Sequence, residues 1–365
     1  MKRILLSKVK RIGILFLVVA SLVVPYIPTQ ASSLLSNTER SNLNAFLGAV
    51  LRWSALENEI QYRKNPKKFS DDVLLGTVWE LDHIYEIVKA KHKITPSYGG
   101  QQDFITVKEM NQITIQLFGR SIKNGKSHYM YQSSSPYGAG YAITQADGAE
   151  ATIAQINGVK KTKSGIIVTF SSAKEMSGTF YGNYKAVFKT NTKSPVKYTL
   201  LSITKQKTAN VKLKQATASS RLNSYGSIQY SPKNLMDGKL NTAWCEGVNG
   251  VGIGQWTKLT WSKKESISAI AIYPGYQKSE ELRQKNGAPT KMKFDFSDGT
   301  SLTVDLDDYR NYTAYQKQQY FYIENKGTLI LLNKKIKASN VKVTILGAEA
   351  GSKYEDTCIS ELKFY

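Results

Sequence analysis

Apolar residues recur at helical spacing through residues 38–57, where Leu43, Phe46, Leu47, Val50, Leu51 and Leu56 share one face. Asn37 or Thr38, with Glu39 close behind, supplies the expected N-cap. Residues 73–88 read two ways. Their β-branched and aromatic content favours a strand, whereas the spacing of Leu81, Ile84, Tyr85 and Val88 favours a helix. Residues 106–118 are predicted as a helix stopped by Gly119. From residue 128 the pattern changes to alternation, and strands are expected at 128–132, 140–144, 151–156, 165–170, 182–189 and 196–203. Asp147-Gly148 reads as a hairpin turn between two of them, because Gly tolerates positive φ. Helices followed by a run of antiparallel strands predict an α+β domain over 32–204 with a sheet covered on one face. The polar, basic stretch KQKTANVKLKQ at 205–215 reads as a linker to a second region, 216–365.

The chain opens differently. Lys2, Arg3, Lys8, Lys10 and Arg11 precede an apolar run from Ile12 to Val24, and Thr29-Gln30-Ala31 offers a small-residue cleavage site. Together they read as a signal peptide, residues 1–31, cleaved near Ala31. The alternative is an uncleaved anchor, against which Pro25 and Pro28 break the run short of ~20 residues. No second stretch is apolar for long enough to cross a bilayer. The expectation is a secreted protein whose mature chain has no transmembrane span.

Export changes how the charge is read. The chain carries 50 Lys+Arg against 28 Asp+Glu, a formal +22. A basic exported protein is drawn to anionic cell-wall polymers, phospholipid headgroups or acidic glycans. A lysine-rich surface that serves solubility gives the same count. Nucleic acid is not an expected partner, since no recognition motif accompanies the charge.

The richest signal lies in the second region. It opens ATASSRLNSYGSIQYSPKNLMDGKLNTAWCEGVNGVGIGQWTKLTW, continues through PGYQKSEELRQKNGAPTKMKFDF and closes KYEDTCISELKFY. Asp237-Gly238 with Thr242 and Trp244, the Gly-rich loop that follows, and Ile359-Ser360-Glu361 carry the likeness. The region resembles the discoidin-like, galactose-binding-like jelly-roll sandwiches, and more closely the NADase-type glycan-binding domain of secreted bacterial toxins. The resemblance implies an all-β jelly-roll sandwich over 216–365 that binds carbohydrate, a host or bacterial surface glycan. The N-terminal region, through LNAFLGAVLRW and Ala146-Asp147-Gly148, resembles a module fused upstream of such domains in Gram-positive bacteria, whose role is unknown.

The resemblance also assigns residues. An exported chain with two cysteines reads as one disulfide, two free thiols being the alternative. In a discoidin-like sandwich the Trp244 loop lies beside the Ser360-Glu361 strand, which fits a Cys245–Cys358 pair. Related sandwiches hold a structural Ca²⁺ at the corner formed here by Asp237, Thr242 and Glu361, an oxygen donor set that suits the ion. Lys239 makes a cation less welcome. In the alternative, Asp237 caps a turn and Glu361 accepts hydrogen bonds from the Trp244 loop. Sugar recognition needs aromatic faces and a few rigid polar groups. Tyr225, Glu246, Asn249, Tyr276, Lys278 and Asn286 are the expected glycan-binding residues, with Trp244 and Trp256 as core.

Catalysis is not expected. His83, His92 and His128 sit in no metal-ligand frame, and neither a Gly-x-Ser-x-Gly elbow nor a phosphate-cradling loop occurs. The Gly-rich run 247–254 follows a Trp-Cys turn and precedes a strand. It therefore lacks the helix N-terminus that would hold a pyrophosphate. The NAD-cleaving domain of the toxins would lie beyond the binding module, where this sequence stops. A hydrolase with an unrecognised N-terminal site, and an interaction module without sugar specificity, are the alternative readings.

Overall fold

The computed structural model describes residues 34–54, 60, 64–95, 100–133, 135–143, 151–174, 178–306, 320–323 (backbone alone) and 327–365. The expected signal peptide and the Asp147-Gly148 turn lie outside them.

Helix α1 (Asn37–Trp53) is capped by Ser36 rather than by Asn37 or Thr38. The Glu39 amide donates to the Ser36 hydroxyl at 3.2 Å, and the Ser36 amide donates to the Glu39 carboxylate at 2.9 Å. This reciprocal box satisfies two N–H groups that the helix itself leaves free. Residues 71–83 form helix α2 (Asp71–His83), which decides the ambiguous stretch in favour of a helix. Every residue from Val73 to Asp82 is buried, so the helix has no polar face to reveal its period. Helix α3 (Val107–Phe118) follows expectation. Thr106 and Glu109 form its capping box, and Gly119 ends it at φ +75°, a left-handed conformation that costs glycine little.

The strands of this half form two antiparallel sheets instead of one. Strands β1 (His92–Ile94), β2 (Gln102–Thr106), β3 (Tyr131–Gln132) and β4 (Gly140–Ile143) are ordered β1-β2-β4-β3. Strands β5 (Thr152–Lys161), β6 (Gly165–Lys174), β7 (Phe180–Thr190) and β8 (Tyr198–Gln206) form a meander. Among the described residues β4 and β5 are not partners: β4 has β2 and β3 on its two edges, and β5 pairs with β6. Phe46 of α1 meets Phe118 at 5.5 Å and Phe188 of β7 at 6.1 Å, which joins both helices to the meander.

The second half comprises β9 (Leu213–Ala218), β10 (Trp244–Cys245), β11 (Trp256–Pro274), helix α4 (Glu280–Lys285), β12 (Ala288–Phe296), β13 (Ser301–Asp305), β14 (Tyr320–Ile323), β15 (Gly327–Glu349) and β16 (Cys358–Phe364). All eight strands share one hydrogen-bonded ladder, and two of them build both layers. The first part of β11 pairs with β9 and with residues 340–344 of β15. After a register shift between Thr260 and Glu265, its later part pairs with β16 and with residues 328–338 of β15. An irregularity of this kind bends a strand and sharpens its twist. The ladder thus folds over on itself into a sandwich filled by Trp244, Trp261, Ile270, Phe294, Val343 and Leu362.

The segment read as a linker is drawn into both halves. Lys205 and Gln206 complete β8, Leu213 opens β9, and Ala209, Val211 and Leu213 pack on the sandwich core at every second position. The halves also share an apolar cluster. Ala173 and Phe180 meet Ala269, Tyr273, Leu331 and Tyr365, and the Phe180 and Tyr365 rings stack at 4.5 Å. Among the described residues, no helix is long and apolar enough to cross a membrane.

Candidate functional site

Strand β11 leaves the end of the sandwich near Gln255 and returns to it at Pro274, so loops far apart in sequence gather there. They are residues 219–230, 246–255, 275–287 and 350–357. Cys245 and Cys358, opposite one another on β10 and β16, are joined by a disulfide with Cα atoms 4.1 Å apart. Around it pack Ala243, Tyr276 and the half-buried Leu222, Tyr230 and Leu282, so the staple forms a small core beneath the loops.

Three of the six expected sugar-binding residues belong to that foundation. Tyr276 is 4% exposed, and its hydroxyl donates to the Asn241 carbonyl at 3.4 Å. It cannot offer a face to a ligand, because packing against the disulfide gains more than solvent exposure would. Glu246 is fully buried. Its carboxylate accepts from the Val248 amide at 2.8 Å and the Thr357 amide at 3.1 Å. Burial pushes this carboxyl up, and the two amide donors partly offset the effect. A Cβ on Gly252 would lie 2.3 Å from the Glu246 Cδ, and its φ is +64°, so the Gly-rich loop wraps this side chain and needs glycine to do so. Asn286 is also buried, and its carboxamide donates to the Leu282 carbonyl at 2.7 Å to close α4. Trp244 is core as expected, its indole donating to the Ser220 carbonyl at 3.0 Å.

The other three residues stay on the surface. Tyr225, Asn249 and Lys278 are exposed, Tyr225 by 78%. Tyr225 is the shoulder of a tight turn: its amide donates to the Ile228 carbonyl at 3.1 Å, and the Ile228 amide donates back at 2.9 Å. Gly226, at φ +56°, makes that turn possible. An exposed aromatic on a backbone pinned from both sides loses little freedom on binding.

Sequence reasoning missed Tyr354. This ring is 41% exposed, with the Lys353 ammonium 5.2 Å from its centroid. Its amide donates to the Lys285 carbonyl at 2.8 Å, which clamps the 350–357 loop onto the end of α4. Tyr230 lies between this loop and Tyr276. Burial raises its phenol, and the neighbouring Tyr354 and Asp356 add to the shift. The one signal in the sequence is the position of Tyr354 four residues before Cys358, inside a stapled turn.

The proposed calcium corner sits beside this end. Thr242 donates its hydroxyl to Asp237 at 2.8 Å, and the Lys239 amide donates to Asp237 at 2.9 Å. The Gly238 amide donates to Glu361 at 3.2 Å. Burial raises the Glu361 carboxyl to about 8, with the Asp237 charge as the next cause. Two carboxylates and a hydroxyl on one corner form a hard donor set. Asp237, Thr242 and Glu361 are the residues that would hold the ion, and its charge would offset their mutual repulsion. Among the described residues, no group of three or more His, Cys, Asp or Glu side chains gathers as a metal site.

A test follows from the sign of the shift. A carboxyl raised in the folded state contributes most below its unfolded pKa, and that stability is lost as pH climbs through the folded value. In chelator, the melting temperature is expected to fall between about pH 5 and about pH 8.5, and Glu361→Gln should flatten that slope. Added Ca²⁺ should restore the wild-type melting temperature at the upper end and leave the variant unmoved. Identical melting curves with chelator and with Ca²⁺ would exclude the ion.

A discoidin-like sandwich with a stapled loop end defines a class of binding domain. Residues 205–365 match the family of the NAD glycohydrolase translocation F5/8 type C domain. The matched stretch begins with the segment that packs on the sandwich core. Similar solved structures include a pectin-binding carbohydrate-binding module, 16% identical over 42% of this chain and 91% of that one, with a TM-score of 0.29. Another is a family 32 carbohydrate-binding module from C. perfringens in complex with galactose, 21% identical over 41% of this chain and 91% of that one, with a TM-score of 0.28. A third, from Clostridium perfringens in complex with GalNAc-β-1,3-galactose, is 20% identical over 41% and 94%, with a TM-score of 0.28. No curated protein matches the chain.

Proposed function

We propose that the protein is a secreted, non-catalytic carbohydrate-binding protein that recognises a cell-surface glycan at the loop end of its C-terminal sandwich. The observation that carries this reading is Tyr225, the most exposed large apolar or aromatic side chain among the described residues, fixed on a two-way hydrogen-bonded turn. A pinned, exposed tyrosine offers a flat apolar face for the CH side of a sugar ring. Asn249 and Lys278 are exposed polar residues on the other loops of this end, and Tyr354 offers a second exposed ring. The buried disulfide and the Glu246 hydrogen bonds hold these loops in place without a ligand, which keeps the ordering cost of binding small. The F5/8 type C family supports a role in binding, and export is supported by the signal-like N-terminus together with a disulfide. The mature protein on a glycan array is the direct test. Saturable binding to a set of related glycans is expected, and a blank array would exclude a sugar-specific role.

A further inference from the structure

At the end of the sandwich opposite these loops lies a cleft of about 490 Å³. Its walls come from four places: the 207–212 segment, the bend of β11 near Ser262, Lys335 on β15 and Asn183 on β7. The alternation that turns Ala209 and Val211 onto the core leaves Thr208, Asn210 and Lys212 to line the opening. A segment that reads as a spacer is thus one wall of a cavity.

Four lysines line this space, Lys207, Lys212, Lys263 and Lys335. The cleft has one carboxylate, Glu265, which pairs with Lys263 at 3.4 Å. Among the described residues, Lys207, Lys212 and Lys335 have no acidic partner within salt-bridge distance. Lys335 is half-buried, and desolvation lowers its pKa. Cations around one cleft repel one another, and a bound anion would offset that repulsion.

The donor types narrow the anion. Lysines approach as separate point charges, which suits a tetrahedral oxyanion, whereas a planar carboxylate favours the fork of an arginine, and the cleft has no arginine. Apart from Ala209, the remaining side chains that line it carry a hydroxyl or a carboxamide. Asn183 accepts at its Oδ1 from Ser171 at 2.9 Å, which leaves its NH₂ to donate. Such groups suit the hydroxyls of a polyol, and the volume is that of a small-ligand site. We propose that this cleft binds a phosphate-bearing sugar or polyol unit, at a site that shares no residue with the loop end.

Calorimetric titration of the mature protein with glucose 6-phosphate, glycerol 3-phosphate, glucose and inorganic phosphate tests this. Both phosphate esters should bind and glucose should not, with inorganic phosphate weaker than either ester. Lys212→Gln with Lys335→Gln should weaken ester binding at least about tenfold, or about 1.4 kcal/mol. Lys207→Gln with Lys212→Gln, both on exposed positions, repeats the test without touching the sandwich interior. Tyr225→Ala should leave ester affinity unchanged. A glycerol-phosphate oligomer that binds more tightly than its monomer would identify a polymer as the source, and equal affinity would identify a free small molecule. No heat from either ester with wild type, or wild-type affinity in both lysine pairs, would overturn the proposal.

Discussion

Replacing Cys245 and Cys358 together by alanine is expected to cost on the order of 5 kcal/mol, a fall in melting temperature of about 10 °C or more. The bond spans 113 residues, so its removal frees a long loop in the unfolded chain. Both sulfurs are fully buried beneath Tyr276, so the change also loosens the packing under the loops. Calorimetry on the oxidised protein and the double variant measures the difference. A shift of only a degree or two would mean that the sheet alone holds β10 against β16. Glycan affinity should fall along with stability, because the Glu246 and Thr357 hydrogen bond lies one residue beyond the staple on each strand.

Tyr225→Ala combined with Tyr354→Ala should abolish glycan binding while the melting temperature stays nearly constant. Wild-type affinity is expected near ~10⁻⁴ M, and each ring should contribute roughly tenfold. Such a loss takes binding below ordinary detection. Both rings are exposed, so their removal leaves no cavity. Tyr276→Ala serves as the contrast. It should cost roughly 3–5 kcal/mol of stability, as the truncation of a buried aromatic does, and any loss of binding would follow from that damage. If the Tyr225 and Tyr354 variant binds array-positive glycans like wild type, the site lies elsewhere on the domain.

The sequence by itself determined the local structure. Thr106, Glu109 and Gly119 mark both ends of α3, since caps and left-handed stops involve only residues a few positions apart. Alternation marks the meander strands for the same reason, and the Gly-rich run is legible as a loop because several of its glycines adopt positive φ. The two cysteines are equally plain. In the candidate site, Tyr225, Asn249 and Lys278 were legible as exposed loop residues, and Trp244 as core.

Tertiary structure decided the rest. Helix α2 is buried on every side, which erased the one-sided pattern by which a helix is read. Nothing between β4 and β5 says that they pair into different sheets, because each finds its neighbours elsewhere in the chain. Tyr276 and Tyr225 are both loop tyrosines in the sequence. One is buried because Cys358, from the far end of the domain, brings a surface to cover it, and the other has no such neighbour. The lysine cleft exists because the bend of β11 brings residues 262–265 beside the 207–212 segment and Lys335. Burial and charge convergence depend on contacts between distant segments, and a local pattern carries no record of them.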